Sequence, residues 1–305
     1  MTLEDWVDAS TDRVRENGWT GVLESARELY IGALRRTDPF FGDGEHVFER
    51  DWDVLLLLDG CRVDVAEEVA ADYDFLDDPG VLRSVGSSSE QWLERTFTDA
   101  HRDAMRDTVY VTGNPFSKQL LTDDDLLALD EVWRYAWDAD AGTIPAAPIT
   151  DRAIAAGREH DYDRMIVHYM QPHFPSIPDP LSDGMNESTL GDGEGWDMPW
   201  YKLRRGELDE ETVWASYRAN LEYVLDDVAT LLSNLDADTV AISADHANAK
   251  GEYGVYGHPK VPISALREVP WYETSATDTG EYEPTIDPGV ERGAVEEKLE
   301  SLGYL

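Results

Sequence analysis

Cysteine is all but missing. Cys61 stands alone among 305 residues, so neither an intramolecular disulfide nor a cysteine-rich zinc site can form. Lysine is scarce too, at Lys118, Lys202, Lys250, Lys260 and Lys298, and 25 basic residues against 64 acidic ones leave a formal net charge of −39. A surface of that sign repels phosphate backbones and lacks the cationic patch whose counterion release drives sequence-independent nucleic-acid binding, which argues against nucleic acid as a partner. No run approaches the roughly 18 apolar residues that span a bilayer, and Met1-Thr-Leu-Glu-Asp-Trp has no basic and then apolar leader. The expectation is a soluble, cytoplasmic protein without an integral membrane segment. Its acidity is of the halophilic kind and describes the solvent, not the substrate.

What is present is enough apolar material for one large core: 42% hydrophobic residues, with ten Trp and fourteen Tyr, set the chain apart from acidic disordered sequences. Residues 1–50 have helical spacing, with Val22, Leu23, Ala26, Leu29, Tyr30 and Ala33 suited to one helix face, and are expected to pack on a principal domain at 51–305. Apolar runs predict strands over 53–59, 81–85, 109–112, 165–170 and 239–244. Helical spacing predicts helices over 62–71, 90–97, 150–159 and 211–235, acidic helical material around 123–137, and a short terminal helix over 290–302. Gly, Asp and Pro between 175 and 200 predict a long loop, and 262–288 reads as irregular. Strands alternating with helices predict an α/β fold, its mostly parallel sheet covered on both faces.

Three strand ends carry polar residues that could converge where open α/β sheets hold ligands. Thr239-Val-Ala-Ile-Ser-Ala ends in Asp245-His246, and Leu55-Leu-Leu-Leu ends in Asp59-Gly-Cys-Arg62. An ionised carboxylate after a buried strand is costly without a cation or hydrogen bonds, so Asp59 is either a metal ligand or a partner of Arg62 and the next helix. The third strand runs into His168-Tyr-Met-Gln-Pro-His173-Phe-Pro, and His258 lies twelve residues after His246. Three histidines near an Asp-His pair favour anion binding or protonation of a leaving oxygen. Gly86-Ser87-Ser88-Ser89 precedes a helix, where a hydroxyl either caps the helix or, beside a divalent cation, becomes a nucleophile. Ser89 is the preferred nucleophile, with Ser87 and Ser88 as alternatives.

In this order, these motifs resemble the alkaline phosphatase/sulfatase superfamily over residues 53–260, most closely the sulfatase-like hydrolases of haloarchaea. Leu266-Arg-Glu-Val-Pro-Trp271 and Leu302-Gly-Tyr are similar to segments of that group. The resemblance implies a three-layer alkaline phosphatase-like fold and one divalent ion, manganese or zinc, held by Asp59, Asp245, His246 and the Ser89 hydroxyl. It places His168, His173 and His258 around the phosphate or sulfate, with Arg62, Ser87 and Ser88 as further substrate contacts. Formylglycine-dependent sulfatases carry Cys-x-Pro-x-Arg or Ser-x-Pro-x-Arg, which neither Cys61-Arg-Val-Asp-Val65 nor the serine cluster fits. No clear Asp precedes the histidines to complete a second metal set, and Ala247-Asn248 replaces the Gly-Glu often found after Asp-His. The expectation is therefore a metal-dependent hydrolase or transferase of phosphate mono- or diesters. Its substrate is a small anionic ester, or a lipid- or glycan-linked phosphate or sulfate. The alternatives are a sulfate-ester hydrolase and a catalytically silent module that binds an anionic group or glycan.

Overall fold

The computed structural model describes residues 3–181 and 198–289. Helices α1 (Leu3–Asn17) and α2 (Trp19–Arg35) lead into β1 (Val54–Leu58), α3 (Val63–Val69), β2 (Gly80–Arg83), α4 (Ser89–Thr96), α5 (Arg102–Arg106), β3 (Thr108–Thr112) and α6 (Ser117–Leu120). Next come β4 (Ala128–Glu131), α7 (Ala146–Glu159), β5 (Arg164–Tyr169), α8 (Pro199–Arg205), α9 (Glu210–Leu232), β6 (Ala237–Ser243), β7 (Ala249–Lys250), β8 (Tyr256–Gly257), α10 (Ser264–Arg267) and β9 (Glu268–Ala276). Seven strands form one sheet in the order β2-β9-β6-β1-β5-β3-β4. The run from β6 to β4 is parallel, and β9 and β2 are antiparallel at one edge.

Strand β1 is central because it has nothing to offer water: Val54 to Leu58 are at most 2% exposed, and burying each leucine contributes about 1.5–3 kcal/mol. Helices α3, α7 and α9 pack together on one face, where the Tyr169 hydroxyl meets Thr150 of α7 at 2.9 Å. The next side chain back along β5, His168, points to the opposite face, towards Trp92 of α4 and Tyr110 of β3. This is the expected three-layer, mostly parallel α/β architecture. The register aligns Leu57 with His168 and Ser243, and His168 with Thr112, so the residues just past β1, β3 and β6 share one edge of the sheet.

Two expectations fail. The acidic stretch 123–137 contributes β4 and a short 3₁₀ turn, because its apolar residues pair with β3 instead of lying along a helix face. The stretch 262–288 holds α10 and the nine-residue β9. Pro270 masks that strand in the sequence, yet it is tolerated because it lies opposite Val81 of short β2, beyond Tyr272, where the ladder to β6 ends. The loop expected over 175–200 falls largely outside the described residues, and the terminal helix over 290–302 does so entirely.

Helices α1 and α2 form a hairpin whose buried contact uses Ser10, Gly21 and Ser25, while Val22, Leu23, Leu29 and Tyr30 remain exposed. The stripe suited to one face is therefore not the buried one. Ile31 and Leu34 instead pack on a small apolar cluster of Ala249, Val255, Val261, Ile263 and Leu266. Among the described residues no helix is long and apolar enough to cross a membrane.

Candidate metal and nucleophile site

Each of the two carboxylates at the sheet edge has one oxygen held and one left over. Asp59 Oδ2 accepts from the Ser89 hydroxyl at 3.1 Å and from Asn114 Nδ2 at 2.8 Å, while Oδ1 has no hydrogen-bond partner. Asp245 Oδ1 accepts from the backbone N–H groups of Gly60 at 3.1 Å and His246 at 2.9 Å, while Oδ2 has none. His168 Nε2 is likewise buried and unpartnered, at 3.8 Å from Asp59 Oδ2 and 3.7 Å from Asp245 Oδ2. His246 Nε2 lies 3.5 Å from Asp59 Oδ1, 3.6 Å from Asp245 Oδ2 and 3.3 Å from the Ser89 oxygen. Donors about 2.1 Å from a tetrahedral ion stand roughly 3.4 Å apart, so the spacing is that of ligands around one cation.

Electrostatics points the same way. Burial, reinforced by the Asp245 charge, pushes the Asp59 carboxyl well above the ordinary carboxylate range. Burial opposes charge on Asp245 as well, but the neighbouring His246 and His168 outweigh it and hold that group below its usual value. Two carboxylates at such a distance stay ionised together only with a counter-charge between them. Asp59, Asp245 and His168 each offer an atom within 4.8 Å of the others, and the orphaned atoms fit a divalent ion.

The imidazoles are prepared as ligands or acceptors. His246 Nδ1 donates to the Ala247 carbonyl at 2.9 Å, which directs Nε2 towards Ser89. Tyr110 Oη lies 2.8 Å from His168 Nδ1, the outer-shell contact that fixes a ligating ring. Burial lowers His168 to about 4, so the ring is neutral at ordinary pH. The sequence reading put His168 beside the phosphate; the structure sets its Nε2 between the two carboxylates. The reason is its position inside β5, level with Leu57, whereas His173 lies four residues beyond the strand.

His173 and His258 form a separate pair, Nε2 to Nε2 at 2.8 Å. His173 Nδ1 donates to its neighbour's carbonyl, Phe174 O, at 2.6 Å, and the His258 ring stacks on His246 at 4.6 Å. Burial lowers both, His173 to about 4 and His258 well below its ordinary value, with His246 adding to each and His173 to His258.

The serine cluster sorts itself by position. Ser87 Oγ donates to Gln91 Oε1 at 3.0 Å, and Ser88 is the N-cap of α4, accepting from Gln91 N at 3.4 Å. Only Ser89, the first residue of α4, turns its hydroxyl to Asp59 and His246. Ser88 thus caps α4, and Ser87 is bonded to the Gln91 side chain within the turn. Arg62 is also committed: two guanidinium nitrogens hold Asp64 at 2.7 Å each, and the third meets Glu252 at 2.9 Å and the Asn248 carbonyl. It is not a free anion receptor.

Asn114 was missed in the sequence. Its Oδ1 accepts Phe116 N at 3.0 Å, which turns Nδ2 onto Asp59. The signal was there, since Gly113-Asn-Pro closes a strand as the other site segments do.

No described protein family matches the sequence, and no curated protein does either. Solved structures do match. The soluble domain of lipooligosaccharide phosphoethanolamine transferase A from Neisseria meningitidis aligns with a TM-score of 0.51 and 16% identity, over 75% of this chain and 77% of that one. The integral membrane protein of that name aligns at 0.51 and 14%, over 92% of this chain and 60% of the other, so the chain spans less than two thirds of its length. A protein of the alkaline phosphatase superfamily from Vibrio parahaemolyticus aligns more loosely, at 0.40 and 11% over 78% and 62%. What the first two share with this chain is an α/β fold with a mostly parallel central sheet. At such identities the likeness is one of architecture, and it leaves the chemistry to be argued from the side chains.

Proposed function

We propose that the chain cleaves or transfers phosphate esters through a Ser89 nucleophile, with one manganese or zinc ion held by Asp59, Asp245, His246 and His168 beside the Ser89 hydroxyl. The observation that carries this reading is the convergence of buried, unpartnered donor atoms of Asp59, Asp245 and His168 beside a serine hydroxyl, Ser89, that bonds to Asp59 and faces His246. Mixed carboxylate and imidazole donors without thiolate suit either metal. The bound ion would supply Lewis acidity, lowering the hydroxyl pKa and offsetting charge on the phosphoryl oxygens. The name of the structural neighbour, a phosphoethanolamine transferase, agrees with phosphoryl-group chemistry.

Asp59 Oδ2, which accepts the Ser89 hydroxyl, orients that oxygen and takes up its proton as the serine–phosphorus bond forms and the bond to the leaving oxygen breaks. The positive end of the α4 dipole, where Ser89 sits, would stabilise the developing negative charge. His173 and His258 share a proton across 2.8 Å. An anionic ester placed beside them favours the protonated pair, which then returns a proton to the leaving oxygen. Water or an acceptor hydroxyl resolves the phosphoseryl intermediate.

A diester is favoured over a monoester, because three cations close in sequence to the site are already paired with carboxylates. Arg62 holds Asp64 and Glu252, Lys260 holds Glu90, and Lys250 lies 3.4 Å from Glu210. Turnover of bis(p-nitrophenyl) phosphate, p-nitrophenyl phosphate and p-nitrophenyl sulfate, with manganese or zinc at high salt, tests the reading. The diester should be the best substrate, and Ser89→Ala should lower its turnover roughly 10³-fold or more. Turnover of the sulfate alone, or full activity in Ser89→Ala, would overturn it.

A further inference from the structure

The nucleophile turn and the metal-ligand segment come from opposite ends of the chain, and one hydroxyl joins their backbones. Ser84, 1% exposed, follows β2. Its Oγ donates to the backbone carbonyl of Asp245 and accepts the Gly86 N–H at 3.1 Å. The same residue is fixed from behind: Ser84 N donates to Arg267 O at 2.6 Å, and Arg267 Nε returns a bond to Ser84 O at 2.8 Å. Arg267, fully buried, also donates to Gly42 O at 2.8 Å, and Ala247 N donates to Leu266 O at 2.9 Å. The 266–267 backbone thus anchors both segments, and the Ser84 hydroxyl ties one to the other.

We infer that Ser84 is a positioning residue that sets the distance between the Ser89 oxygen and the Asp245-His246 ligands. This rests on the function proposed above. A buried hydroxyl with one donor and one acceptor partner cannot be replaced by a methyl without stranding both the Gly86 N–H and the Asp245 carbonyl. The two backbones then lose their direct bond, and the site loosens between nucleophile and metal rather than at the substrate. Loss of the hydroxyl should therefore appear in kcat and in metal affinity, with KM little changed.

The test compares Ser84→Ala, Ser84→Cys and Ser84→Thr in the full chain, by calorimetric titration with Mn²⁺ and Zn²⁺, diester kinetics and thermal melting. Ser84→Ala should weaken metal binding and lower kcat by about 10- to 100-fold, the usual consequence of losing an outer-shell partner, with KM within about twofold. Ser84→Thr, which keeps the hydroxyl, should restore both. Ser84→Cys, a weak S–H donor of similar size, should fall between them and decides the matter if Ser84→Ala does not fold. A variant that melts earlier but keeps wild-type metal affinity and kcat would show a purely structural role and overturn the inference. Metal titration reads the effect even if no ester in the panel is turned over, whereas a wild-type protein that binds no metal overturns the site itself.

Discussion

Tyr110 shows how far the chemistry of one residue reaches. Its hydroxyl is fully buried and pushed by burial well above the usual phenol range, so it stays protonated and can only share a hydrogen with His168 Nδ1. With a metal on Nε2, the ring must carry its own hydrogen on Nδ1 and donate it to the tyrosine oxygen. Tyr110→Phe removes that acceptor and little volume. The expected outcome is metal affinity lowered by about 10- to 100-fold, read by calorimetry, while stability of the metal-free protein falls by only about 0.5–1.5 kcal/mol. No pattern in the sequence announces this contact, because Tyr110 and His168 lie on different strands and meet only through the β3–β5 register. Asp59, Asp245 and His246 were legible for the opposite reason: each closes an apolar run, so a charge at the end of a buried strand is visible in one dimension.

The turn into α4 carries the nucleophile, and its shape depends on Gly86. A Cβ there would stand 2.5 Å from Trp92 N and 2.7 Å from Trp92 Cα, both backbone atoms of a helix that cannot yield. Gly86→Ala should push the turn off α4, costing about 1–3 kcal/mol by denaturant unfolding, and displace Ser89 enough to lower kcat. Wild-type turnover in a folded Gly86→Ala protein would show that the turn tolerates the shift. Triple serine before a helix reads equally as a cap or as a nucleophile. The structure divides the labour, since Ser87 and Ser88 bond within the turn and only Ser89 faces across it. Elements with strong periodicity, such as β1, β5, α9 and β6, were legible to within a few residues. β4 and β9 were not, because acidic and proline-containing strands gain their stability from neighbours on the sheet rather than from their own pattern.

Over the molecule as a whole the formal charge of −39 dominates its response to solvent. Mutual repulsion among carboxylates opposes the compact state, and salt shortens its range from about 10 Å at 0.1 M to about 3 Å at 1 M. The melting temperature should rise steadily with KCl over that range, as followed by circular dichroism; a flat or falling trend would remove the halophilic reading. Composition, charge and the apolar runs by themselves decided the α/β class, the central strands and the residues that end them, because burial and strand period act locally along the chain. Tertiary structure alone decided that His168 joins the carboxylates, that Arg62 is spent on Asp64 and Glu252, that Asn114 bonds to Asp59, and that Ser84 bonds to the Asp245 carbonyl. Those outcomes depend on strand order and register, which bring together residues as distant along the chain as Arg62 and Glu252, and on which of several polar partners a buried group meets first.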